Sequence, residues 1–135
     1  MQYWLMKSEP DVFSYDDLVK KGREHWDGVR NYTARNNMRA MKKGDLAFFY
    51  HSNIDKAVVA IITIVKEAYQ DPTTDEIAWV CVDVAPKEKL RVPVTVAAIK
   101  ANPKLAQMKL VSQGRLSVSD LTKAEFDEIV KMSKK

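Results

Sequence analysis

The sequence contains aromatic side chains of the kind that recognise a planar heterocycle. A protein that reads a single nucleobase must first remove that base from its stack, and it then needs a flat apolar surface for the ring. Trp4, Trp26, Tyr32 and Tyr50 are available for stacking, and each base–aromatic stack contributes about 1–3 kcal/mol. Trp4 and Tyr50 fall in predicted strands, so a place in the core is their alternative. Trp26 falls in a predicted loop, where it is either an anchor or a stacking wall.

Short polar side chains suited to reading the edge of a base lie in the same segments. Ser8, Asn31, Ser52 and Asn53 carry hydroxyl or amide groups that donate and accept hydrogen bonds. Asn31 is also explained as the N-cap of a helix, and Ser8 as a residue that forms a turn. Both roles stay open for each of these two residues.

A basic stripe could hold phosphates outside such a site. The pattern predicts a helix from Tyr32 to about Met41, on which Arg35, Arg39 and Lys42 share one side. The alternative for this stripe is a solvated helix face. Contact with phosphates requires such cations but no particular base sequence.

Arg30 and Arg115 are further candidates for contact with an anion. Arg30 precedes the cap of the predicted helix, where positive charge is unfavourable because of the helix dipole. We expect either a salt bridge from Arg30 to Asp27 or Glu9, or an anionic ligand.

Catalytic arrangements can also be drawn from these residues. Lys7 with Glu9, or His51 with Ser52, supply a base and a nucleophile. Neighbouring residues of a strand point to opposite faces, which argues against the second pair. The chain has two histidines and one cysteine, with no spacing typical of a zinc site. The sequence therefore predicts a protein without catalytic residues, metal or cofactor.

The elements that would position these residues indicate an α+β fold. Ser14 and Thr122 are predicted N-caps of helices, each with an acidic residue three positions later. Strands are predicted at residues 2–7, 46–50, 58–65 and 77–84, and a separate short strand near Leu90 is flanked by Pro86 and Pro93. Strands and helices do not alternate regularly, so we expect a small barrel or a strongly bent sheet.

Size and composition indicate one domain over residues 1–135. The formal net charge of +4 permits contact with polyanions. One cysteine excludes an internal disulfide, and no signal peptide or transmembrane segment is recognised. We expect a cytoplasmic protein that does not enter a membrane.

Six ordered sequence blocks are spread over nearly the whole chain: YWLMKSEP at residues 3–10, WDGVRNY at 26–32, ARN at 34–36, KGD at 43–45, FYHSN at 49–53 and RLSV at 115–118. Together these blocks resemble the EVE domain, which also occurs in the thymocyte nuclear protein family. Two departures stand out. The loop between residues 70 and 78 is short for the family, and Ser119-Asp120 replaces a glutamine-proline pair.

The resemblance implies a PUA-like fold, a small bent β-barrel flanked by helices. It further implies a non-catalytic, nucleic-acid-binding module that accommodates a flipped modified base of DNA or RNA and works with a separate effector protein. The implied base pocket comprises Lys7, Ser8, Glu9, Trp26, Val29, Arg30, Asn31, Tyr32, Tyr50, His51, Ser52, Asn53, Arg115 and Ser117, with phosphate contacts from Arg35, Arg39 and Lys42.

Two rival functions remain open at this point. Some ASCH relatives are hydrolases of a modified nucleoside that use a lysine and a glutamate, and Lys7 and Glu9 supply those residue types. The other rival is a protein-interaction domain with a vestigial pocket.

Overall fold

A computed structural model describes residues 1–53 and 55–134. Within these residues the chain forms six strands, five α-helices and one 3-10 helix. The strands are β1 (Tyr3–Ser8), β2 (Glu24–Trp26), β3 (Leu46–His51), β4 (Ala57–Gln70), β5 (Val80–Thr95) and β6 (Val118–Leu121). The helices are α1 (Tyr15–Lys21), α2 (Tyr32–Ala40), α3 (Val96–Ala101), the 3-10 helix Pro103–Leu105, α4 (Lys109–Ser112) and α5 (Lys123–Met132).

All six strands form one mixed sheet in the order β2-β5-β4-β3-β1-β6. β1 pairs with β3 in parallel, and every other pairing is antiparallel. The described residues contain no pairing between β2 and β6, so the sheet is open. The α+β class is confirmed, whereas the closure implied by a barrel does not occur.

Helices cover both faces of the sheet. Successive residues of β3 point to opposite faces, so neighbouring side chains belong to two different core clusters. Phe49 packs in a cluster with Trp26 and with Met38 of α2. Phe48 packs in a second cluster with Ile99 of α3 and Phe126 of α5. The first cluster lies beneath α1 and α2, and the second lies beneath α3, α4 and α5.

Local capping sets the ends of the helices as the sequence predicts. Ser14 and Asp17 form a capping box at α1, and Gly22 ends that helix in the left-handed conformation, with φ of 76°. The side chain of Asn31 accepts a hydrogen bond from the Ala34 backbone N–H at the start of α2. Thr122 caps α5 in the same way as Ser14 caps α1.

The two longest strands differ from the sequence prediction. β4 continues to Gln70 and β5 runs without a break from Val80 to Thr95, so the predicted separate strand near Leu90 is wrong. β2 pairs with β5 only as far as Val84, and the rest of β5 has a strand neighbour on one side only. A proline has no backbone N–H, and on the unpaired side of an edge strand there is no neighbouring strand to accept a hydrogen bond from it. Pro86 and Pro93 are therefore tolerated in this part of β5.

A buried carboxylate fixes the end of β1 nearest the N-terminus. Asp45, 4% exposed, accepts hydrogen bonds from the indole N–H of Trp4 at 3.1 Å and from the backbone N–H of Lys42 at 2.9 Å. A third comes from the backbone N–H of Gln2 at 3.2 Å. Trp4 is therefore a core residue, in agreement with the structural interpretation of its sequence position.

Candidate functional site

A cavity of about 480 Å³ is lined by the end of β1, the turn that follows it, and the segment from Glu24 to Asp27. We call it the Trp26 cavity. Nine residues line it: Lys7, Ser8, Glu9, Val12, Phe13, Glu24, His25, Trp26 and Asp27. Four of the predicted pocket residues, Lys7, Ser8, Glu9 and Trp26, meet here.

Trp26 forms a rigid apolar wall of the cavity. It is the last residue of β2, so its predicted position in a loop is wrong. Its ring contacts Phe49 edge-on at 5.3 Å and Phe13 edge-on at 6.4 Å between centroids. The indole N–H makes no hydrogen bond within residues 1–53 and 55–134, yet it is not a fully buried atom. Trp26, which is 8% exposed, thus combines a fixed ring with an indole N–H that is not fully buried.

The turn after β1 forms a second wall, which adjoins Trp26 through Phe13. The Ser8 hydroxyl donates to the Phe13 carbonyl at 2.6 Å, and the Glu9 carbonyl accepts from the backbone N–H groups of Val12 and Phe13. Ser8 is therefore a turn-forming residue whose hydroxyl oxygen keeps acceptor capacity. This wall is held by its own hydrogen bonds before any ligand arrives.

Lys7 brings a positively charged donor to the cavity. Its ammonium group donates to the Gly114 carbonyl at 2.7 Å and lies 5.8 Å from the centre of the Tyr50 ring. Burial lowers the pKa of Lys7, because a desolvated ammonium is less stable. Two further donor positions on the nitrogen remain for a ligand.

Three carboxylates supply acceptors around the same space. Glu24 accepts from Lys21 at 2.7 Å, and this hydrogen bond lowers the pKa of Glu24. The two ring nitrogens of His25 lie 3.0 Å from Glu24 and 2.8 Å from Asp27. Glu9 is exposed at the rim. Sequence reasoning missed Glu24, His25 and Asp27 as cavity residues. Strand alternation around Trp26 could have indicated Glu24 alone, because His25 and Asp27 would be expected on the other face.

Arg30 lies outside the Trp26 cavity and binds a partner that the sequence did not reveal. Its guanidinium contacts Asp71 at 3.0 Å and Thr73 at 3.2 Å, so the expected salt bridge to Asp27 or Glu9 is wrong. Asp71 also accepts from the backbone N–H of Gly28 at 2.8 Å. Burial alone would raise the pKa of Asp71, but hydrogen bonds from Thr73, Gly28 and Arg30 outweigh it and lower the pKa to about 2.

Tyr32 packs on Trp79, away from the Trp26 cavity. The two ring centroids are 4.9 Å apart, and Tyr32 remains 61% exposed. Val29, also predicted for the pocket, is buried in the core beneath this segment.

The segment from Tyr50 to Asn53 lies behind the Trp26 cavity. Tyr50 is 5% exposed, and burial raises its pKa. His51 lines a second cavity of about 350 Å³ together with Tyr15 and Asp55, and its ring accepts from the Tyr15 backbone N–H at 3.1 Å. The Ser52 backbone N–H donates to the Ser8 carbonyl at 2.9 Å, so Ser52 supports the turn without lining the cavity. Asn53 is exposed, with φ of 65°.

A third cavity of about 350 Å³ contains Asn31 and Arg115. Ser117 reaches the Trp26 cavity only indirectly, because its carbonyl accepts from the Lys7 backbone N–H at 2.9 Å. The structure therefore distributes the predicted pocket residues over several sites.

The three predicted phosphate contacts differ in their freedom. Arg39 and Lys42 are exposed. Arg35 is committed within the chain, since its guanidinium donates to the Ala78 carbonyl at 3.2 Å and to the Asn36 amide oxygen at 2.8 Å.

Neither metal ligation nor a membrane span is visible in the described part of the chain. No three histidine, cysteine or acidic side chains there converge as metal ligands. No helix there is long and apolar enough to cross a bilayer.

Comparison with known proteins reveals close relatives over nearly the whole chain. Mouse thymocyte nuclear protein 1 is 39% identical over 165 aligned positions, covering 96% of this chain and 73% of the mouse protein. The alignment is longer than the 135 residues of this chain, so the mouse protein has segments that this chain lacks. These relatives are named for a nuclear location, so the cytoplasmic location expected from the sequence is wrong. A single cysteine does not distinguish a cytoplasmic protein from a nuclear one.

Solved structures give the same result. A crystal structure from Agrobacterium tumefaciens is 46% identical, with a TM-score of 0.97 over 98% of this chain and 93% of that one. Human THYN1 in complex with 5-methylcytosine-containing DNA is 36% identical, with a TM-score of 0.93 over 100% of this chain and 99% of the human one.

An ASCH protein from Zymomonas mobilis shares the fold at 12% identity and a TM-score of 0.61, over 96% of this chain and 94% of that one. The fold expected from the resemblance is confirmed by the EVE-type and ASCH structures together. The EVE domain profile matches residues 2–132, and this chain belongs to the EVE domain family.

Proposed function

We propose that this chain is a single-domain, non-catalytic reader that holds a flipped, modified nucleobase of DNA or RNA in the Trp26 cavity. The observation that carries the proposal is a cavity with one aromatic wall and several hydrogen-bonding groups, in a chain 36% identical to human THYN1, which has been solved with 5-methylcytosine-containing DNA. A base inside a duplex is reached only after extrusion from the stack.

The size of the cavity suits one heterocycle. Its volume of about 480 Å³ falls in the range of about 300–1,000 Å³ typical of small-molecule sites. The rigid Trp26 ring supplies the stacking surface, and the turn from Ser8 to Phe13 forms the adjoining wall.

The polar groups favour a base with an exocyclic amino group. Carboxylates accept from the amino group of cytosine, and Glu9, Glu24 and Asp27 all line the cavity. Lys7 and the indole N–H of Trp26 are donors suited to a ring carbonyl. Outside the cavity, the exposed Arg39 and Lys42 are the cations we assign to phosphates.

The rival hydrolase function has one observation in its favour, because Lys7 and Glu9 do line the same cavity. The Lys7 ammonium, however, is hydrogen-bonded to the Gly114 carbonyl, and the ASCH likeness extends to the fold alone. Incubation with acetylated and methylated nucleosides, followed by mass analysis, should show no turnover. Turnover that disappears in Glu9→Gln would establish the hydrolase instead.

Binding of matched oligonucleotides tests the reader function. The chain should retain strands with 5-methylcytosine better than the same strands with cytosine. Trp26→Ala should weaken binding of the modified strand by about 1–3 kcal/mol, whereas Arg39→Ala should weaken both strands alike. Trp26 also packs in the core, so circular dichroism must show that its variant is folded.

Asp27→Asn provides a second variant at a partly exposed side chain. It should reduce the preference for 5-methylcytosine over thymine, which replaces the amino group by a carbonyl. If neither Trp26→Ala nor Asp27→Asn alters the preference between bases, the cavity is not a base pocket.

A further inference from the structure

Four planar side chains lie next to one another beside the start of α2, and Tyr32 among them is 61% exposed. The Arg30 guanidinium carbon lies 5.7 Å from the centre of the Trp79 ring. Trp79 and Tyr32 are 4.9 Å apart with their planes inclined by 35°. The Arg35 guanidinium carbon lies 4.9 Å from the centre of the Tyr32 ring. We call Arg30, Trp79, Tyr32 and Arg35 the stacking ladder.

We propose that the stacking ladder is a second nucleic-acid contact, at which a nucleotide outside the Trp26 cavity stacks. Nucleobases stack on aromatic rings and on guanidinium planes without regard to sequence. The ladder contains both kinds of surface, with two aromatic rings between two guanidinium groups.

Hydrogen bonds hold the ladder in place before a ligand binds. Asp71 and Thr73 fix Arg30. The Ala78 carbonyl and the Asn36 amide oxygen fix Arg35, and Glu76 accepts from the Trp79 indole N–H at 2.9 Å. Preorganisation of this kind lowers the entropic cost of binding.

The Tyr32 ring of the ladder is exposed to solvent and is not part of the hydrophobic core. Trp79 is 8% exposed, whereas Tyr32 is 61% exposed. Ile77, in the same loop as Trp79, is 81% exposed. Tyr32 contacts Trp79, and Ile77 is two residues from Trp79 along the chain, so an exposed aromatic ring and an exposed aliphatic side chain belong to two segments that meet at Trp79. Exposed apolar side chains that cluster are typical of an interaction surface.

Charge favours a polyanion as the occupant. Asp71 compensates Arg30, but the partners of Arg35 are a neutral carbonyl and a neutral amide. Arg39 follows Arg35 by one helical turn and is exposed. Glu76 brings a second carboxylate to the ladder through the Trp79 indole N–H, but Arg35 makes no ion pair among the described residues and can pair with a phosphate beside the exposed ring.

The ladder is continuous with the Trp26 cavity through residues 27–32. Asp27 lines the cavity, and Asp71 holds both Gly28 and Arg30. Tyr32, two residues after Arg30, is the first residue of α2. The placement of the stacked nucleotide next to an extruded base rests on the proposed function, whereas the stacking itself does not.

Fluorescence anisotropy with labelled oligonucleotides tests the ladder. The probes are one strand containing 5-methylcytosine and the same strand containing cytosine, each single-stranded and in duplex. Tyr32→Ala should weaken binding of modified and plain strands by the same factor, about tenfold. Tyr32→Phe, which keeps the ring, should bind as the unaltered chain does. Arg35→Lys, which keeps the charge but loses the plane, should weaken both strands severalfold.

The outcomes separate the ladder from the cavity. Loss of base preference in Trp26→Ala, with loss of general affinity in Tyr32→Ala, supports both sites. If the chain shows no preference between bases while Tyr32→Ala still weakens all strands, the reader function fails and the ladder stands. Unchanged affinity of folded Tyr32→Ala overturns the ladder, as does a loss confined to the modified strand. Failure of the unaltered chain to bind any of the probes overturns both proposals.

Discussion

Asp71→Asn is expected to destabilise the fold and to remove part of its sensitivity to acid. One oxygen of Asp71 accepts from the Gly28 N–H and from Arg30, and the other accepts from Thr73. Lowering the pKa of this carboxyl from 3.8 to about 2 corresponds to about 2 kcal/mol of stability at neutral pH. In the variant, an amide N–H₂ group must face donors, and Arg30 loses its counter-charge.

The pH dependence has a defined direction. Because the pKa is lowered in the folded state, the contribution of Asp71 is complete above about pH 4 and declines as the pH falls toward about 2. Urea unfolding from neutral pH down to this range should show a declining difference between the unaltered chain and Asp71→Asn.

Asp75→Asn is the matched control, since Asp75 lies in the same loop and is exposed. It should change the free energy of unfolding by less than about 0.5 kcal/mol. A difference between the unaltered chain and Asp71→Asn that stays constant with pH, or an equal effect in Asp75→Asn, would refute the reasoning.

Two further predictions concern positions away from the Trp26 cavity. Asp45→Ala leaves the indole N–H of Trp4 and two backbone N–H groups without their acceptor, so chemical denaturation should show a loss of about 2–4 kcal/mol, against little change in the exposed Asp11→Ala. Gly22→Ala should cost about 1–2 kcal/mol because its φ is 76°. Gly114→Ala, at a glycine without positive φ and with open space, should cost less, and equal costs would contradict the explanation by backbone conformation.

Local signals in the sequence predict the helix starts because both partners of a cap lie within four residues. Ser14 with Asp17, and Thr122 with Glu125, form the expected capping boxes. The extent of β4 and β5 was not predictable in this way. Their length comes from pairing with each other, and this pairing continues through several register shifts that no local pattern reveals.

In the candidate site, too, the sequence predicts local features but not contacts between distant parts of the chain. The resemblance indicated the segments around Ser8 and Trp26, and these do enclose a common cavity. It did not separate residues that face this cavity from those that face others, such as His51 and Arg115. The partner of Arg30 is 41 positions away along the chain, so charge pattern near Arg30 pointed to the wrong carboxylates.

The half of β5 beyond Val84 would ordinarily be a place where a second chain adds a strand and aggregation begins. Pro86 and Pro93 interrupt the row of backbone donors that such an addition requires. The Val92 N–H is already bound to the Ser133 carbonyl at 3.0 Å. Substituting both prolines by threonine would restore these backbone donors and make the strand more regular. We expect the protein to become less soluble at high concentration, even if the isolated fold is no less stable.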